Sequence, residues 1–88
     1  MEYKTLYSIP VKDAAKNHEI VLWSFKKDGH MWFQTVIRIC DTGGIILQTQ
    51  PTKNWKISKN VFNHILEKSF NFLDITPHQA YELKKKRI

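Results

Sequence analysis

Residues 19–40, EIVLWSFKKDGHMWFQTVIRIC, decide the fold of this chain. Glu19 to Lys26 and Met31 to Cys40 are rich in β-branched and aromatic residues, which favour strands. Between them stands Asp28-Gly29, a strong hairpin signal because a tight two-residue turn requires positive φ angles. The stretch therefore predicts two antiparallel strands joined by a two-residue turn.

Weaker patterns extend this hairpin into a sheet of three or four strands. Apolar residues alternate weakly before Pro10, which predicts an edge strand, and the polar residues 11–18 predict a loop or one helical turn. Residues 41–44, Asp-Thr-Gly-Gly, predict a second turn of the same kind, and Pro51 stops the strand that follows it. The prediction is an antiparallel β-meander with strands at about 2–9, 19–27, 31–40 and 45–50.

Two helices follow the meander. An apolar stripe at helical spacing predicts an amphipathic helix over about 59–71, with Ser58 as its N-cap and Ile57 and Phe62 as a hydrophobic staple. Thr76-Pro77-His78-Gln79 has a capping threonine, a proline at the first helical position and a glutamine three residues after the cap, so it predicts a second helix over about 77–86. The sequence thus predicts one small α+β domain over residues 1–88, with the meander packed on one amphipathic helix and a short C-terminal helix.

The two-residue turn assigns the side chains of the hairpin to two faces of the sheet. One face is nearly all aliphatic and should pack on the helix stripe; it holds Ile20, Leu22, Met31, Phe33, Ile37 and Ile39. The opposite face mixes large rings with polar groups; it holds Val21, Trp23, Phe25, Trp32, Gln34, Val36 and Arg38. This second face could stack unpaired bases. It could equally be covered by the N-terminal strand, the last helix or a second copy, and Ile45 and Leu47 are expected to point to it.

The charge of the chain favours a polyanionic partner. The formal net charge is +6, the isoelectric point is near 9.6, and the chain has 12 lysines against 2 arginines. Lysine attracts phosphates without the bidentate contacts by which arginine recognises guanine, so sequence-nonspecific binding is expected. Three clusters supply the cations: Lys26 and Lys27; Lys53, Lys56 and Lys59; and Lys84, Lys85, Lys86 and Arg87.

The sequence offers little for catalysis or for a metal site. Cys40 is the one cysteine, the four histidines lack metal-ligand spacing, and no glycine-rich phosphate loop or paired carboxylates are evident. We therefore expect no enzymatic activity, no cofactor and no metal. The chain has no apolar stretch approaching the ~20 residues that span a bilayer and no signal-peptide pattern, so we expect a cytoplasmic protein that does not associate with membranes.

Three functional hypotheses remain open. The first is non-enzymatic binding of DNA or RNA, and the element order of residues 19–70 is loosely similar to small sheet-plus-helix DNA-binding domains such as the amino-terminal domains of some phage-type integrases. The second is a small phage-type regulator or inhibitor that binds a host or partner protein. The third is a homodimer with the aromatic face between two copies. The candidate nucleic-acid-binding residues are Trp23, Lys26, Lys27, Trp32, Gln34, Arg38, Lys53, Lys56, Lys59, Lys84, Lys85, Lys86 and Arg87.

Overall fold

The sheet is a four-stranded antiparallel meander in which each strand pairs with the next one along the chain. A computed structural model describes residues 1–14 and 16–88. This arrangement, with a long and a short helix, confirms the predicted α+β class. The elements are β1 Lys4–Asp13, β2 Lys16–Lys27, β3 His30–Ile39, β4 Ile45–Gln48, α1 Trp55–Glu67, a 3-10 helix Ser69–Asn71 and α2 Pro77–Lys84.

The β2–β3 hairpin has the predicted register. Lys27 pairs with His30, which leaves Asp28 and Gly29 as a two-residue turn with φ angles of 53° and 77°. Positive φ at both central positions is the geometry of a type I′ turn, whose twist matches that of the flanking strands. Phe25 therefore lies opposite Trp32 on one face, as the sequence predicts.

The first strand is longer than predicted. β1 continues through Pro10 to Asp13 and β2 begins at Lys16, so the interpretation of residues 11–18 as a loop or helical turn is wrong for residues 11–13 and 16–18. Residue 15 of that stretch lies outside the described residues. β1 is longer because Ile9 and Val11 continue the alternation and are both buried. Proline is tolerated there because β1 is an edge strand, where a missing backbone N–H need not break a ladder.

The turn after β3 is not a two-residue turn like Asp28-Gly29. Gly43 N donates to Ile39 O at 2.8 Å, and Ile39 N donates to Gly44 O at 2.8 Å, which closes a longer loop. Gly43 has a positive φ angle of 72°. A two-residue type I′ turn requires positive φ angles at two consecutive residues, and this loop does not have them. Beyond this loop Leu47 pairs with Ile37 and packs on the helix side, so the expectation that it points to the aromatic face is also wrong.

Helix α1 begins earlier than predicted. Asn54, not Ser58, is the N-cap: its Oδ1 accepts a hydrogen bond from Ile57 N at 3.0 Å. Asparagine is as good a cap as serine, so the helix gains a further turn. Ile57 is exposed, which rules out the predicted staple with Phe62. The helix ends at Glu67, four residues before the predicted end at about 71. Phe70, which helical spacing predicts to be in the apolar stripe, falls in the 3-10 helix and is exposed.

Helix α2 begins with the predicted capping box. Thr76 Oγ1 accepts from Gln79 N at 3.2 Å, and Gln79 Oε1 accepts from Thr76 N at 2.9 Å. Gln79 Nε2 also donates to Lys12 O at 2.8 Å, and Asp74 N donates to Asp13 Oδ2 at 2.8 Å. These two bonds hold the start of α2 beside the end of β1.

The main core lies between the sheet and the helices. Its sheet side contains Ile20, Leu22 and Ile37 of the predicted aliphatic face, with Phe33 partly buried against them, and α1 supplies the apolar stripe. The prediction is wrong for Met31, which is 43% exposed near the turn, where the helix stripe does not cover it, and Ile39 is outside the core. The buried members are Ile9, Val11, Ile20, Leu22 and Ile37 from the sheet and Phe62, Ile65, Leu66, Leu73 and Leu83 from the helical half. Among the described residues, no helix is both long enough and apolar enough to cross a membrane.

Candidate nucleic-acid interface

The aromatic face of the sheet is largely covered from within the chain. Trp23 is 9% exposed and Phe25 is 7% exposed, while Val21 and Val36 are fully buried beneath them. The Tyr3 ring lies over this group, with its centroid 4.4 Å from that of Trp23 and 5.2 Å from that of Phe25. The sequence analysis named three segments that could cover this face, and the structure shows the N-terminal segment there. The burial of Trp23 and Phe25 therefore does not require a second copy of the chain.

Gln34 lies within this covered cluster and holds it together. Its Oε1 accepts a hydrogen bond from Trp23 Nε1 at 3.0 Å, and its Nε2 donates to Thr49 O at 3.0 Å. Both the oxygen and the nitrogen of the Gln34 amide are therefore hydrogen-bonded, and the residue is 9% exposed. The structure places Gln34 and Trp23 inside the fold rather than on a surface open to a ligand.

Arg38 sits at the edge of the same face in an ion pair. Its Nη2 lies 3.3 Å from Glu19 Oε2, and its guanidinium is 5.9 Å from the centre of the Trp23 ring. Glu19 Oε2 also accepts a hydrogen bond from Ser8 Oγ at 2.8 Å. The Ser8 hydrogen bond, together with Arg38, lowers the pKa of Glu19 from its ordinary value, so the carboxylate neutralises much of the Arg38 charge.

Cys40 lies next to this ion pair. Its Sγ is 3.5 Å from Glu19 Oε1. Local desolvation and then the Glu19 carboxylate raise the pKa of the Cys40 thiol, although the residue is exposed. At neutral pH the side chain is therefore a thiol, which is a poorer nucleophile than a thiolate.

A partly open group of side chains lies at the turn end of the hairpin, and we call it the hairpin-end site. It consists of Lys27, Trp32, Gln50, Pro51 and Lys53. Trp32 Nε1 donates to Lys27 O at 3.2 Å, which fixes the indole, and Lys53 Nζ lies 5.5 Å from its centroid. A cleft of about 170 Å³ opens here and is lined by Phe25, Lys27, Trp32, Gln50 and Pro51.

The chain after β4 builds this site, and the sequence pattern did not reveal it. Thr52 and Phe33 exchange two backbone hydrogen bonds, of 2.8 and 2.9 Å, so the segment beyond Pro51 returns to the sheet. The Trp55 ring then packs edge-on against Phe33 at 5.2 Å. These contacts bring the start of α1 beside the hairpin, so Lys53 of the second predicted cluster meets Lys27 of the first at Trp32. Lys26 lies with Met31 on the other face of the hairpin, and Lys56 and Lys59 follow within α1.

The third predicted cluster lies elsewhere. Arg87 forms an ion pair with Glu67, the last residue of α1, and Lys85 pairs with Glu82 at 3.6 Å. Since α1 has 13 residues, its two ends are about 20 Å apart. The tail Lys84–Arg87 is therefore at the opposite end of the helix from Lys53 and does not join the hairpin-end site.

Most of the positive charge remains available to a partner. Within the described part of the chain, ion pairs with carboxylates hold Arg38, Lys85 and Arg87, together with a 3.9 Å approach of His18 to Asp13. In residues 1–14 and 16–88, no group of three or more His, Cys, Asp or Glu side chains converges as metal ligands would. Comparison of the chain with protein-family models, with curated proteins and with solved structures finds no significant match.

Proposed function

We propose that this protein binds nucleic acid without sequence specificity, and that it prefers an unpaired strand held at the hairpin-end site. The observation that carries the proposal is the Trp32 ring, fixed by its bond to Lys27 O, with the Lys53 ammonium 5.5 Å from its centre. A ring of fixed orientation beside flexible cations is the combination by which single-strand binders hold bases and phosphates.

The cleft beside Trp32 suits one flat base. Its volume of about 170 Å³ lies below the range of about 300–1,000 Å³ that drug-sized ligands occupy. Apolar lining comes from Phe25, Trp32 and Pro51, and polar lining comes from Lys27 and Gln50. A base entering beside the indole gains stacking energy, and Lys53 is free to move from the ring onto the adjoining phosphate.

The surrounding lysines extend the contact to the phosphate backbone. Lys26, Lys27, Lys53 and Lys56 are all exposed. Lys27 and Lys53 lie beside Trp32, whereas Lys26 lies with Met31 on the other face of the hairpin. Each phosphate contact releases condensed counterions, so affinity should fall steeply with salt. The shortage of arginine agrees with binding that ignores sequence. The proposal is for a cytoplasmic binding protein without catalysis, since a single thiol suits a reducing compartment.

The test is fluorescence anisotropy of labelled single-stranded and duplex oligonucleotides at several salt concentrations. Wild type should bind the single strand more tightly, with log affinity falling linearly as log salt rises. The variant Lys27→Gln/Lys53→Gln should bind less tightly, and its salt slope should be smaller by about one for each lost phosphate contact.

The matched control is Lys84→Gln/Lys86→Gln, which removes the same charge at the opposite end of α1. It should lose less affinity than the hairpin-end variant. Equal losses in the two variants would mean that net charge alone drives binding, and would overturn a localised site. Failure of the folded wild type to bind any oligonucleotide at low salt would overturn nucleic-acid binding itself.

A third variant tests stacking separately from charge. Trp32→Leu keeps an apolar side chain beside Phe25 but removes the indole. Since stacking contributes ~1–3 kcal/mol per base, single-strand affinity should fall roughly 5- to 150-fold while duplex affinity changes little. A parallel loss for both oligonucleotides would contradict stacking at Trp32, provided that circular dichroism shows the variant to be folded.

A further inference from the structure

The helical end of the molecule carries an apolar groove that the nucleic-acid proposal does not use. The groove runs between the 3-10 helix and α2 and has a volume of about 340 Å³. Two aromatic rings line it, those of Phe70 and Tyr81, which are 54% and 58% exposed. Ile75 and Ala80 also line it. Large rings that are more than half exposed and line one apolar groove are typical anchoring points for another molecule.

The rim of this groove is positively charged. Lys84 lines it directly, and Lys85 Nζ lies 4.5 Å from the centre of the Tyr81 ring. Lys86 follows and is exposed. Of the nearby carboxylates, that of Glu82 is paired with Lys85 and that of Glu67 with Arg87. Asp74, which precedes Ile75, is exposed and forms no ion pair within the described residues, so Lys84 and Lys86 outnumber the unpaired acidic groups near the groove.

We propose that this groove binds an acidic amphipathic segment of a partner protein. The apolar side chains of such a segment would enter between Phe70 and Tyr81, and its carboxylates would pair with Lys84 and Lys86. Charge complementarity selects this occupant, because an apolar lining with a cationic rim matches a ligand that is apolar on one side and acidic on the other. The groove is built from different residues than the hairpin-end site, so this proposal does not depend on nucleic-acid binding.

Two other occupants fit the groove less well. A second copy of the chain would bring a molecule of net charge +6 against a positively charged rim, which opposes self-association. A nucleic-acid strand satisfies the lysines, but its phosphates and sugars offer no apolar side chain for Ile75 and Ala80 to bury. Both alternatives are outcomes that the experiment below distinguishes.

The probe is a short fluorescein-labelled helical peptide with glutamates on one side and leucine and tryptophan on the other. The full-length protein should bind it, and Phe70→Ser/Tyr81→Ser should weaken binding by about tenfold or more, as loss of central interface anchors does. The matched control is Ile45→Ser/Ile57→Ser, which removes two other exposed apolar side chains and should leave binding unchanged. Circular dichroism checks that both variants are folded.

Peptide variants separate the two parts of the recognition. Replacing the leucines with serine, or the glutamates with lysine, should each abolish most of the binding. An oligonucleotide should not compete for the groove, and sedimentation should show one copy of the protein in each complex. The proposal is overturned if wild type fails to bind the peptide at millimolar concentration, if both double variants bind as wild type does, if the serine peptide binds equally well, or if the oligonucleotide displaces the peptide.

Discussion

Trp23 Nε1 donates a hydrogen bond to Gln34 Oε1 at 3.0 Å, directly across the β2–β3 pair. The same amide donates to Thr49 O, so one side chain joins two central strands to the segment after β4. The bond fixes the indole over Val21 and Val36, which are fully buried beneath it. A small second core therefore exists on the face of the sheet that has no helix.

We expect Gln34→Leu to lower the free energy of unfolding by about 1–3 kcal/mol. Leucine fills similar space but leaves the buried Trp23 N–H and the Thr49 carbonyl without their partner, and an unpaired buried polar group costs about this much. Urea denaturation monitored by circular dichroism measures the change. Gln48→Leu, at an exposed position of β4, is the control and should change stability by less than about 0.5 kcal/mol. Equal effects at the two positions would contradict the role assigned to Gln34.

The true N-cap of α1 can be identified by comparing two alanine substitutions. Asn54→Ala should destabilise the protein by about 1 kcal/mol because it removes the oxygen that accepts from Ile57 N. Ser58→Ala lies inside the helix, where alanine is the better helix former, so it should be neutral or slightly stabilising. Thermal or urea unfolding of both variants gives the ranking. A larger loss of stability for Ser58→Ala than for Asn54→Ala would indicate that the helix begins at Ser58 after all.

The Glu19 carboxylate should contribute stability that disappears in acid. Its pKa in the folded protein is lowered from about 4.5, chiefly by the Ser8 hydrogen bond, so the unfolded chain takes up the proton more readily. The contribution is present above pH ~4.5 and is lost as the pH falls through the lower folded-state pKa. Urea midpoints of wild type and Glu19→Gln should therefore converge as the pH falls. A gap that stays constant from neutral pH to about pH 3 would contradict this, and Glu2→Gln, at an exposed carboxylate, provides the control.

Cys40 should react slowly with iodoacetamide near neutral pH despite its exposure. Desolvation and the adjacent Glu19 carboxylate raise its pKa, which reduces the thiolate fraction that reacts. Glu19→Gln removes the negative charge, so the alkylation rate should increase and its pH profile should shift towards lower pH. Rates are followed by mass spectrometry, with a short cysteine peptide as the reference. A wild-type rate that matches the peptide would show that Glu19 does not act on the thiol.

The meander was predictable because its signals are local. Asp28-Gly29 fixes the register of the hairpin, and that register assigns every side chain of β2 and β3 to its face. The full length of β1 was not predictable from the position of Pro10 alone, because a proline ends a central strand but is tolerated in an edge strand. The start of α1 was missed for a related reason. Asn54 and Ser58 are both good caps, and the packing of Trp55 on Phe33 favours the earlier one.

The candidate interface was harder to predict because it depends on contacts distant in sequence. The composition of the aromatic face was correctly read from alternation, but alternation cannot show that Tyr3 lies over Trp23. Likewise, no local pattern places Lys53 beside Trp32, because that contact follows from the two hydrogen bonds between Thr52 and Phe33. The separation of Lys84–Arg87 from Lys53 follows from the length of α1 and from the ion pair that holds Arg87 at its C-terminal end.

The pairing of each strand with its sequence neighbour also determines how the chain can fold. Connections of a few residues cost little loop-closure entropy, so β1–β2, β2–β3 and β3–β4 can form as successive hairpins. Pairing between sequence neighbours gives a lower contact order than a sheet with crossover connections would have, and lower contact order is associated with faster folding. The bonds from Asp13 to Asp74 and from Lys12 to Gln79 close much larger loops. Because closing a larger loop costs more entropy, we expect the C-terminal helix to attach to the first hairpin after the hairpins have formed.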